Sequence, residues 1–259
     1  MLLEIRDLSI RTANTRGSKP ILTDVNVTVQ PDEIVALVGG SGSGKTTTGL
    51  AVMGLLDPGL RLTGGEILFE EGPNLLTLPA PAMRRIRGTR ISMVFQDPLS
   101  AFNPVLTIGF QIDEVMKCHG QESPARIRSR TLQGLDKAGI PDPARVYASF
   151  PHQLSGGMRQ RAMITMAMAM QPRLIIADEP TSNLDVTLQA RILELFQAMR
   201  ASQKVSILFI THDLGLVRRL CDRVYVMSKG RVVEDGLAQD VFAAPREEYT
   251  RQLLKAVGV

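Results

Sequence analysis

A glycine-rich segment that ends in a lysine is the part of this sequence best suited to chemistry. It reads GGSGSGKTT over residues 39–47 and fits the pattern G-x-x-x-x-G-K-[ST] with Gly39, Gly44, Lys45 and Thr46. Glycines let backbone amides turn inward around phosphate oxygens, and the lysine adds a full positive charge. The segment therefore predicts a phosphate site. The candidate contacts are Gly39, Gly40, Ser41, Gly42, Ser43, Gly44, Lys45, Thr46 and Thr47.

The residues on either side of this loop predict the elements that would hold it. EIVALVGG (33–40) is apolar without alternation, as expected of a strand that is buried on both faces. KTTTGLAVMGLL (45–56) is a helical pattern, and the N-terminus of a helix attracts anions. A strand before and a helix after the loop are the context in which this motif binds the phosphates of a nucleotide.

Two adjacent acids follow another apolar run, LIIADEPT (174–181). Asp178 is expected at the exit of a buried strand, where a carboxylate is costly unless a cation lies nearby, and Mg²⁺ fits that position. Glu179 is next, at the strand tip, where it could polarise a water in line with a terminal phosphate. The pair therefore predicts a magnesium ligand followed by a catalytic base.

Gln96 and His212 end two more apolar strand patterns, ISMVFQ (91–96) and VSILFITH (205–212). The amide of Gln96 could reach Mg²⁺ or the attacking water, and His212 could contact the terminal phosphate. The predicted catalytic residues are Glu179, His212 and Gln96. The predicted magnesium ligands are Thr46, Gln96 and Asp178, which supply a hydroxyl, an amide oxygen and a carboxylate.

A second glycine loop, LSGGM (154–158), raises the question of why one chain would hold two phosphate binders. Ser155 precedes the helical pattern MRQRAMITMAMAM and is a good N-cap. A capped helix start also binds anions, so the structural and the phosphate-binding interpretations are compatible.

The patterns along the chain predict an α/β fold. Buried strand patterns alternate with helices, ILTDVNVTVQ (21–30) alternates as a half-exposed strand, and VYVMSKGRVVE (224–234) predicts a hairpin. Residues 97–168 are mainly helical in pattern. We therefore expect a single domain over 1–259, in which a helical subdomain (97–168) is inserted into a mainly parallel core with added antiparallel strands (1–96 and 169–259).

Composition favours a protein that is made and kept in the cytoplasm. The formal net charge is +4, the two cysteines form no paired framework, and no stretch approaches 18 consecutive apolar residues. The basic cluster MRRIRGTR (83–90) is either a solvated face or a contact for an anionic partner. Any association with a membrane would then come through a partner protein.

The motifs resemble those of the ATP-binding-cassette (ABC) ATPases in order and spacing along essentially the whole chain. The matching segments are GGSGSGKT, Gln96, LSGGM, LIIADEPT, SNLD (182–185) and His212. The resemblance implies a P-loop ATPase core, ATP and Mg²⁺ as cofactors, and two cassettes that dimerise head to tail. Ser155, Gly156, Gly157, Met158 and Asp185 would then serve the nucleotide of the partner cassette, which explains the second glycine loop.

Within this family the chain is most similar to the branch that imports dipeptides, oligopeptides and nickel. VALVGGSGSGKT, DPLSAFNP and LDVTLQARILELF look most like nickel import ATP-binding subunits, and a dipeptide or oligopeptide importer is the alternative. The resemblance implies a second, non-identical ATPase, two membrane permeases and an extracytoplasmic binding protein as partners. It places the chain at the cytoplasmic face of the inner membrane, with no nucleic-acid partner.

Two further features bear on this assignment. A non-transport ABC ATPase of the chromosome or repair type is less favoured, because no sustained heptads separate the two glycine loops. The family often stacks adenine on an aromatic residue ahead of the phosphate loop, whereas the first thirty residues contain none and the aligned position falls near Arg11–Thr12. We therefore expect weak discrimination between ATP and GTP.

Overall fold

The computed structural model describes residues 1–13, 17–120, 122–182 and 184–257. Asn183, the second residue of the SNLD segment, lies outside the described residues. The chain forms two compact units. The first unit comprises Met1–Arg84 with Ser206–Val259, and the second comprises Arg85–Val205. The division predicted from the sequence, with a helical subdomain over 97–168, stays a prediction.

Strands and helices alternate through most of the chain. The strands are β1 (Leu3–Thr12), β2 (Pro20–Val29), β3 (Ile34–Val38), β4 (Leu60–Phe69), β5 (Ile91–Val94), β6 (Leu174–Asp178), β7 (Ser206–Thr211), β8 (Arg223–Ser228) and β9 (Arg231–Leu237). The helices are α1 (Lys45–Val52), α2 (Ala80–Ile86), α3 (Pro98–Ala101), α4 (Ile108–His119), α5 (Pro124–Lys137), α6 (Pro143–Ala148), α7 (Gly156–Met168), α8 (Val186–Gln203), α9 (Leu214–Leu220), α10 (Ala238–Ala243) and α11 (Glu248–Val257).

The first unit contains an antiparallel sheet in the order β2-β1-β4, which confirms the predicted antiparallel strands near the N-terminus. It also contains β7, β3 and β8 side by side and parallel, with β9 antiparallel to β8. All five residues of β3 are buried, as its unbroken apolar pattern predicts. The predicted hairpin is formed by β8 and β9 around Lys229 and Gly230, whose φ angles are 47° and 78°. Positive φ at both central residues is typical of a type I′ turn.

The second unit combines the parallel pair β5–β6 with helices α3 to α8. Along α8, the residues Ile192, Leu193, Phe196 and Met199 are buried, at the spacing of one apolar face of a helix. Together with the first unit, these elements confirm an α/β fold with parallel strands, an antiparallel sheet and a helical part. Among the described residues, no helix is both long and apolar enough to cross a membrane.

A buried carboxylate holds three helices of the second unit together. Asp113 on α4 accepts hydrogen bonds from Thr131 Oγ1 on α5 and Tyr147 Oη on α6, both at 2.6 Å. The pKa of Tyr147 is raised to about 12, mainly by burial and in addition by the hydrogen bond to Asp113. The tyrosine hydroxyl therefore remains a donor at neutral pH.

We predict that Asp113→Ala lowers the free energy of unfolding by about 2–3 kcal/mol, because two hydroxyls inside the helical packing lose their acceptor. Urea denaturation followed by circular dichroism would measure the change. Glu114→Ala is the matched control, since the side chain of the neighbouring Glu114 is 42% exposed and forms a surface ion pair with Lys117 at 2.9 Å. Equal losses of stability in the two variants would contradict the role given to Asp113.

Candidate functional site

The predicted phosphate loop connects β3 to α1 in the first unit. Gly39 and Gly44 have φ angles of 151° and 103°, which disfavour any residue with a side chain. A Cβ at Gly39 would lie 2.1 Å from the carbonyl oxygen of Met227, and one at Gly44 would lie 2.4 Å from Leu22. Both glycines of the motif are therefore required by the fold of the loop, whether or not a ligand is bound.

Lys45 lies across this loop rather than in solvent. Its side chain is buried, with 6% of the residue exposed. The ammonium group donates hydrogen bonds to the carbonyl oxygens of Gly39 at 2.9 Å and Gly40 at 3.0 Å. The N-cap residue of α1 is Gly44, so no side chain caps the helix, and its first turn contains no acidic residue. The loop therefore brings a positive charge and a helix N-terminus together, as phosphate binding requires.

His212 lies at the same end of the sheet as the start of this loop. Strands β3 and β7 are parallel, and Val38 is paired with Thr211. Val38 and Thr211 are the last residues of their strands, so the residues that follow them, Gly39 and His212, lie beside each other. The first unit thus brings together the phosphate loop and the histidine that was predicted to contact the terminal phosphate.

In the second unit, Gln96 and Glu179 are in direct contact. Strands β5 and β6 are parallel with Val94 opposite Ala177, so the residues beyond their ends meet. Gln96 Nε2 donates a hydrogen bond to Glu179 Oε2 at 3.1 Å. The sequence predicted both residues as catalytic, and in the structure the Gln96 side chain holds the Glu179 carboxylate.

The backbone of Glu179 is unusual. Its φ angle is 44°, in the left-handed region that residues with a side chain rarely occupy. Such a conformation costs on the order of 1–3 kcal/mol and is found preferentially at functional sites. Asp178, directly before it, is 3% exposed at the end of β6. The end of β6 therefore holds a buried carboxylate, and the turn that follows presents a second one in a strained conformation.

The second glycine loop and Asp185 both form helix starts. Ser155 Oγ accepts a hydrogen bond from the amide of Met158 at 3.4 Å and caps α7, which confirms the capping interpretation. Asp185 Oδ1 accepts from the amide of Leu188 at 2.9 Å and caps α8. A Cβ at Gly157 would lie 2.9 Å from the Leu188 side chain, so the two helix starts are packed against each other. The roles of these residues toward a partner nucleotide stay predictions.

The predicted magnesium ligands suit the ion by their chemistry. Thr46 offers a hydroxyl, Gln96 an amide oxygen and Asp178 a carboxylate, and Mg²⁺ prefers hard oxygen donors. Thr46 is exposed at the start of α1 in the first unit, whereas Gln96 and Asp178 belong to the second unit. Their assembly around one ion and one nucleotide stays a prediction. In the described part of the chain, no group of three or more His, Cys, Asp or Glu residues could hold a metal ion.

One contact of the phosphate loop could not be foreseen in the sequence. The amide of Gly40 donates a hydrogen bond to Tyr249 Oη at 3.0 Å. Tyr249 lies on α11, 209 residues further along the chain. No local pattern around the tyrosine distinguishes it from a residue that only packs in the core.

A glycine-rich loop lies between a buried strand and a helix, and an acidic pair lies at the end of another strand. The fold and these sites define a P-loop nucleoside triphosphatase. The chain belongs to the ABC transporter family, whose model matches residues 22–182. It is similar to the dipeptide transport ATP-binding protein DppD of Haemophilus influenzae, with 42% identity over 256 residues that cover 99% of this chain and 77% of that protein. It is also similar to the oligopeptide transport ATP-binding protein OppD of Bacillus subtilis, with 45% identity covering 99% and 72%.

A third relative is longer. The peptidoglycan transport ATP-binding protein YejF of Agrobacterium fabrum is 47% identical over 256 residues, which cover 98% of this chain and 47% of that protein. The chain therefore spans about half the length of this relative and about three quarters of the other two, at 77% and 72%.

Solved structures agree with the family assignment. The ATP-binding cassette MJ0796, solved as a dimer in a post-hydrolysis state with ADP and Pi, superposes with a TM-score of 0.82 at 26% identity, covering 92% of this chain and 99% of that one. The subunit cbiO1 of Clostridium perfringens gives a TM-score of 0.79 at 27% identity, covering 99% and 96%. These similarities confirm the predicted fold class.

Proposed function

We propose that this chain is an ATP-hydrolysing subunit that powers an ABC importer, and that peptides are the imported substrate. The observation that carries the proposal of hydrolysis is Glu179, which is held in a left-handed conformation and hydrogen-bonded to Gln96 at 3.1 Å. A carboxylate fixed in this way directly after a buried aspartate is suited to orient and deprotonate a water.

Each residue of the site has a separate role in this proposal. Lys45 and the loop amides bind the phosphates, and His212 contacts the terminal phosphate. Gln96 orients Glu179, which accepts a proton from the attacking water. Thr46, Gln96 and Asp178 would hold Mg²⁺, which when bound neutralises charge that develops on the phosphate oxygens.

A second ATPase completes the proposed site. The related cassette MJ0796 was solved as a dimer bound to ADP and Pi, which supports pairing of ATPases in this family. The capped start of α7, with Ser155, Gly156, Gly157 and Met158, is suited to bind a partner's nucleotide, because a helix N-terminus attracts anions. Asp185 at the start of α8 would lie near the partner's attacking water. We therefore expect slow hydrolysis by the isolated chain.

The names of the relatives favour peptides over nickel. Two of the three relatives described above are named for dipeptides or oligopeptides and the third for peptidoglycan. Nickel, the first prediction from the sequence, finds no support in these names. The proposed partners are a second ATPase, two transmembrane permeases and an extracytoplasmic solute-binding protein, which would place this chain at the cytoplasmic face of the inner membrane.

The substrate is tested by reconstituting the chain with its permeases and binding protein in liposomes. Addition of a dipeptide and oligopeptide mixture should stimulate ATP turnover several-fold, and Ni²⁺ with or without a chelator should not. The Lys45→Ala chain in the same liposomes controls for contaminating ATPases. Stimulation by nickel alone would reverse the choice of substrate.

We also predict that the chain binds ATP and GTP with affinities within about tenfold of each other. Base stacking on an aromatic side chain contributes roughly 1–3 kcal/mol, and the aligned segment offers none to either nucleotide. The affinity therefore depends mainly on the phosphates, which ATP and GTP share. Arg11 is instead hydrogen-bonded to Ser18, and the Thr12 hydroxyl accepts from the amide of Lys19 at 2.9 Å. Competition of unlabelled ATP and GTP against a fluorescent ATP analogue would measure both affinities. A hundredfold preference for ATP would contradict this prediction.

A further inference from the structure

One peptide group of the phosphate loop is held from both sides. The amide of Gly40 donates to Tyr249 Oη at 3.0 Å, and the carbonyl oxygen of Gly39 accepts from Lys45 Nζ at 2.9 Å. These two atoms belong to the same peptide plane, and a trans peptide directs its N–H and C=O in opposite directions. The orientation that satisfies Tyr249 is therefore the one that presents the carbonyl to Lys45.

The tyrosine hydroxyl is itself held in place by the core of the first unit. The ring of Tyr249 packs against a buried apolar cluster, and Leu253, one turn further along α11, packs against the same cluster. The members of this cluster are Ala36, Val38, Leu214, Val217, Val224, Val226, Val241 and Leu254. The side chain cannot swing away without exposing apolar surface, so the hydroxyl acts as a fixed acceptor.

The start of α11 is fixed as well. Glu234 of β9, 7% exposed, accepts hydrogen bonds from the amides of Arg246 at 2.8 Å and Glu247 at 3.1 Å. Burial acts to raise the pKa of Glu234, but the hydrogen bonds to its carboxylate outweigh burial and hold the pKa below its usual value. Arg251 also donates to the carbonyl oxygen of Pro245 at 3.0 Å. The helix that carries Tyr249 is thus anchored before its first turn.

The contact also depends on the absence of a side chain in the loop. A Cβ at Gly40 would lie 3.2 Å from Tyr249 Oη, closer than ordinary van der Waals contact. The glycine and the tyrosine hydroxyl therefore fit each other closely.

We propose that Tyr249 is a positioning residue for nucleotide binding: it fixes the Gly39–Gly40 peptide, and through the Gly39 carbonyl it sets the position of Lys45. The proposal rests on the nucleotide-binding function proposed above for the loop. Without the hydroxyl the peptide can rotate, the lysine loses a fixed anchor, and the loop must be ordered when the nucleotide binds. An unordered loop binds more weakly, because the cost of ordering is then subtracted from the binding energy.

The test compares Tyr249→Phe with Tyr225→Phe in the full chain. Tyr225 Oη accepts a hydrogen bond from the amide of Thr28 at 3.1 Å, so both variants remove a hydroxyl that accepts from a backbone amide in the first unit. Titration calorimetry with MgATP should show that Tyr249→Phe raises the Kd about fivefold, the effect expected of one lost net hydrogen bond. Tyr225→Phe should leave the Kd unchanged, although it unfolds at a lower temperature than the wild type.

Two further readouts separate positioning from a general loss of stability. In steady-state hydrolysis, Tyr249→Phe should raise the KM for ATP while kcat stays within about twofold of the wild type, because the reacting groups are untouched. Gly40→Ala should weaken binding in the wild type but add little in the Tyr249→Phe background, where no hydroxyl meets the added methyl group.

The outcomes are distinguishable. Equal Kd values for the wild type and Tyr249→Phe would overturn the inference, and so would equal weakening by Tyr249→Phe and Tyr225→Phe. In both cases the wild type still binds MgATP and the proposed function stands. A wild-type chain that binds no MgATP would overturn the proposed function, and this inference with it.

Discussion

Glu179→Gln should bind MgATP with nearly normal affinity while losing about 10²–10⁴ of the rate of hydrolysis, which is the usual contribution of a general base. The substitution is nearly isosteric, and the new amide oxygen can still accept the hydrogen bond that Gln96 Nε2 now donates at 3.1 Å. Only the charge and the ability to take a proton are removed. ATP turnover by the assembled transporter and nucleotide binding by the isolated chain would be measured in parallel.

A matched control and a second variant sharpen this result. Glu194→Gln makes the same chemical change at an exposed position of α8 and should leave turnover unchanged. Gln96→Ala should lower the rate less than Glu179→Gln does, because it loosens the carboxylate without removing it. If the Glu179→Gln transporter kept more than half of its turnover, Glu179 would not be the base.

The strain at Glu179 offers an independent check on its role. Its φ angle of 44° favours glycine, so Glu179→Gly should raise the free energy of unfolding by about 1 kcal/mol while turnover is lost. Strained residues cluster at functional sites, where the side chain is kept for a function rather than for the fold. Opposite changes of stability and activity would therefore identify Glu179 as functional rather than structural.

The features that could be predicted from the sequence are those that depend on residues close together in the chain. The phosphate loop, the strand before it and the helix after it depend on a few adjacent residues, as do the Lys229–Gly230 turn and the Ser155 cap. In each case the residue type at one position decides the backbone conformation there. These features are found in the structure where the sequence placed them.

The remaining features depend on residues that are far apart in the chain. The Gly40–Tyr249 hydrogen bond joins positions 209 residues apart, and the Asp113 network joins three helices. Neither leaves a periodic signal, because each needs only one residue of the right type at the right point of the folded chain. The left-handed backbone of Glu179 was equally hidden, since glutamate has no preference for that conformation.

Lys45→Ala should weaken MgATP binding by at least about a hundredfold, because charge-assisted hydrogen bonds to phosphate are roughly twice as strong as neutral ones and act in a buried loop. The same variant should lose little or no stability without nucleotide. Lys45 is the first residue of α1, and alanine has the highest helix propensity, so the backbone of the loop and of the helix should be retained in the variant. A lysine that served only the fold would show the opposite pattern.

Equilibrium dialysis with labelled ATP and thermal unfolding without nucleotide would measure the two quantities for Lys45→Ala. Lys117→Ala is the control, since this exposed lysine of α4 forms a surface pair with Glu114 at 2.9 Å. Unchanged affinity in Lys45→Ala would mean that the loop does not bind phosphate through its lysine. A large loss of stability together with the loss of binding would mean that the buried charge holds the loop together, and that nucleotide binding fails because the loop unfolds.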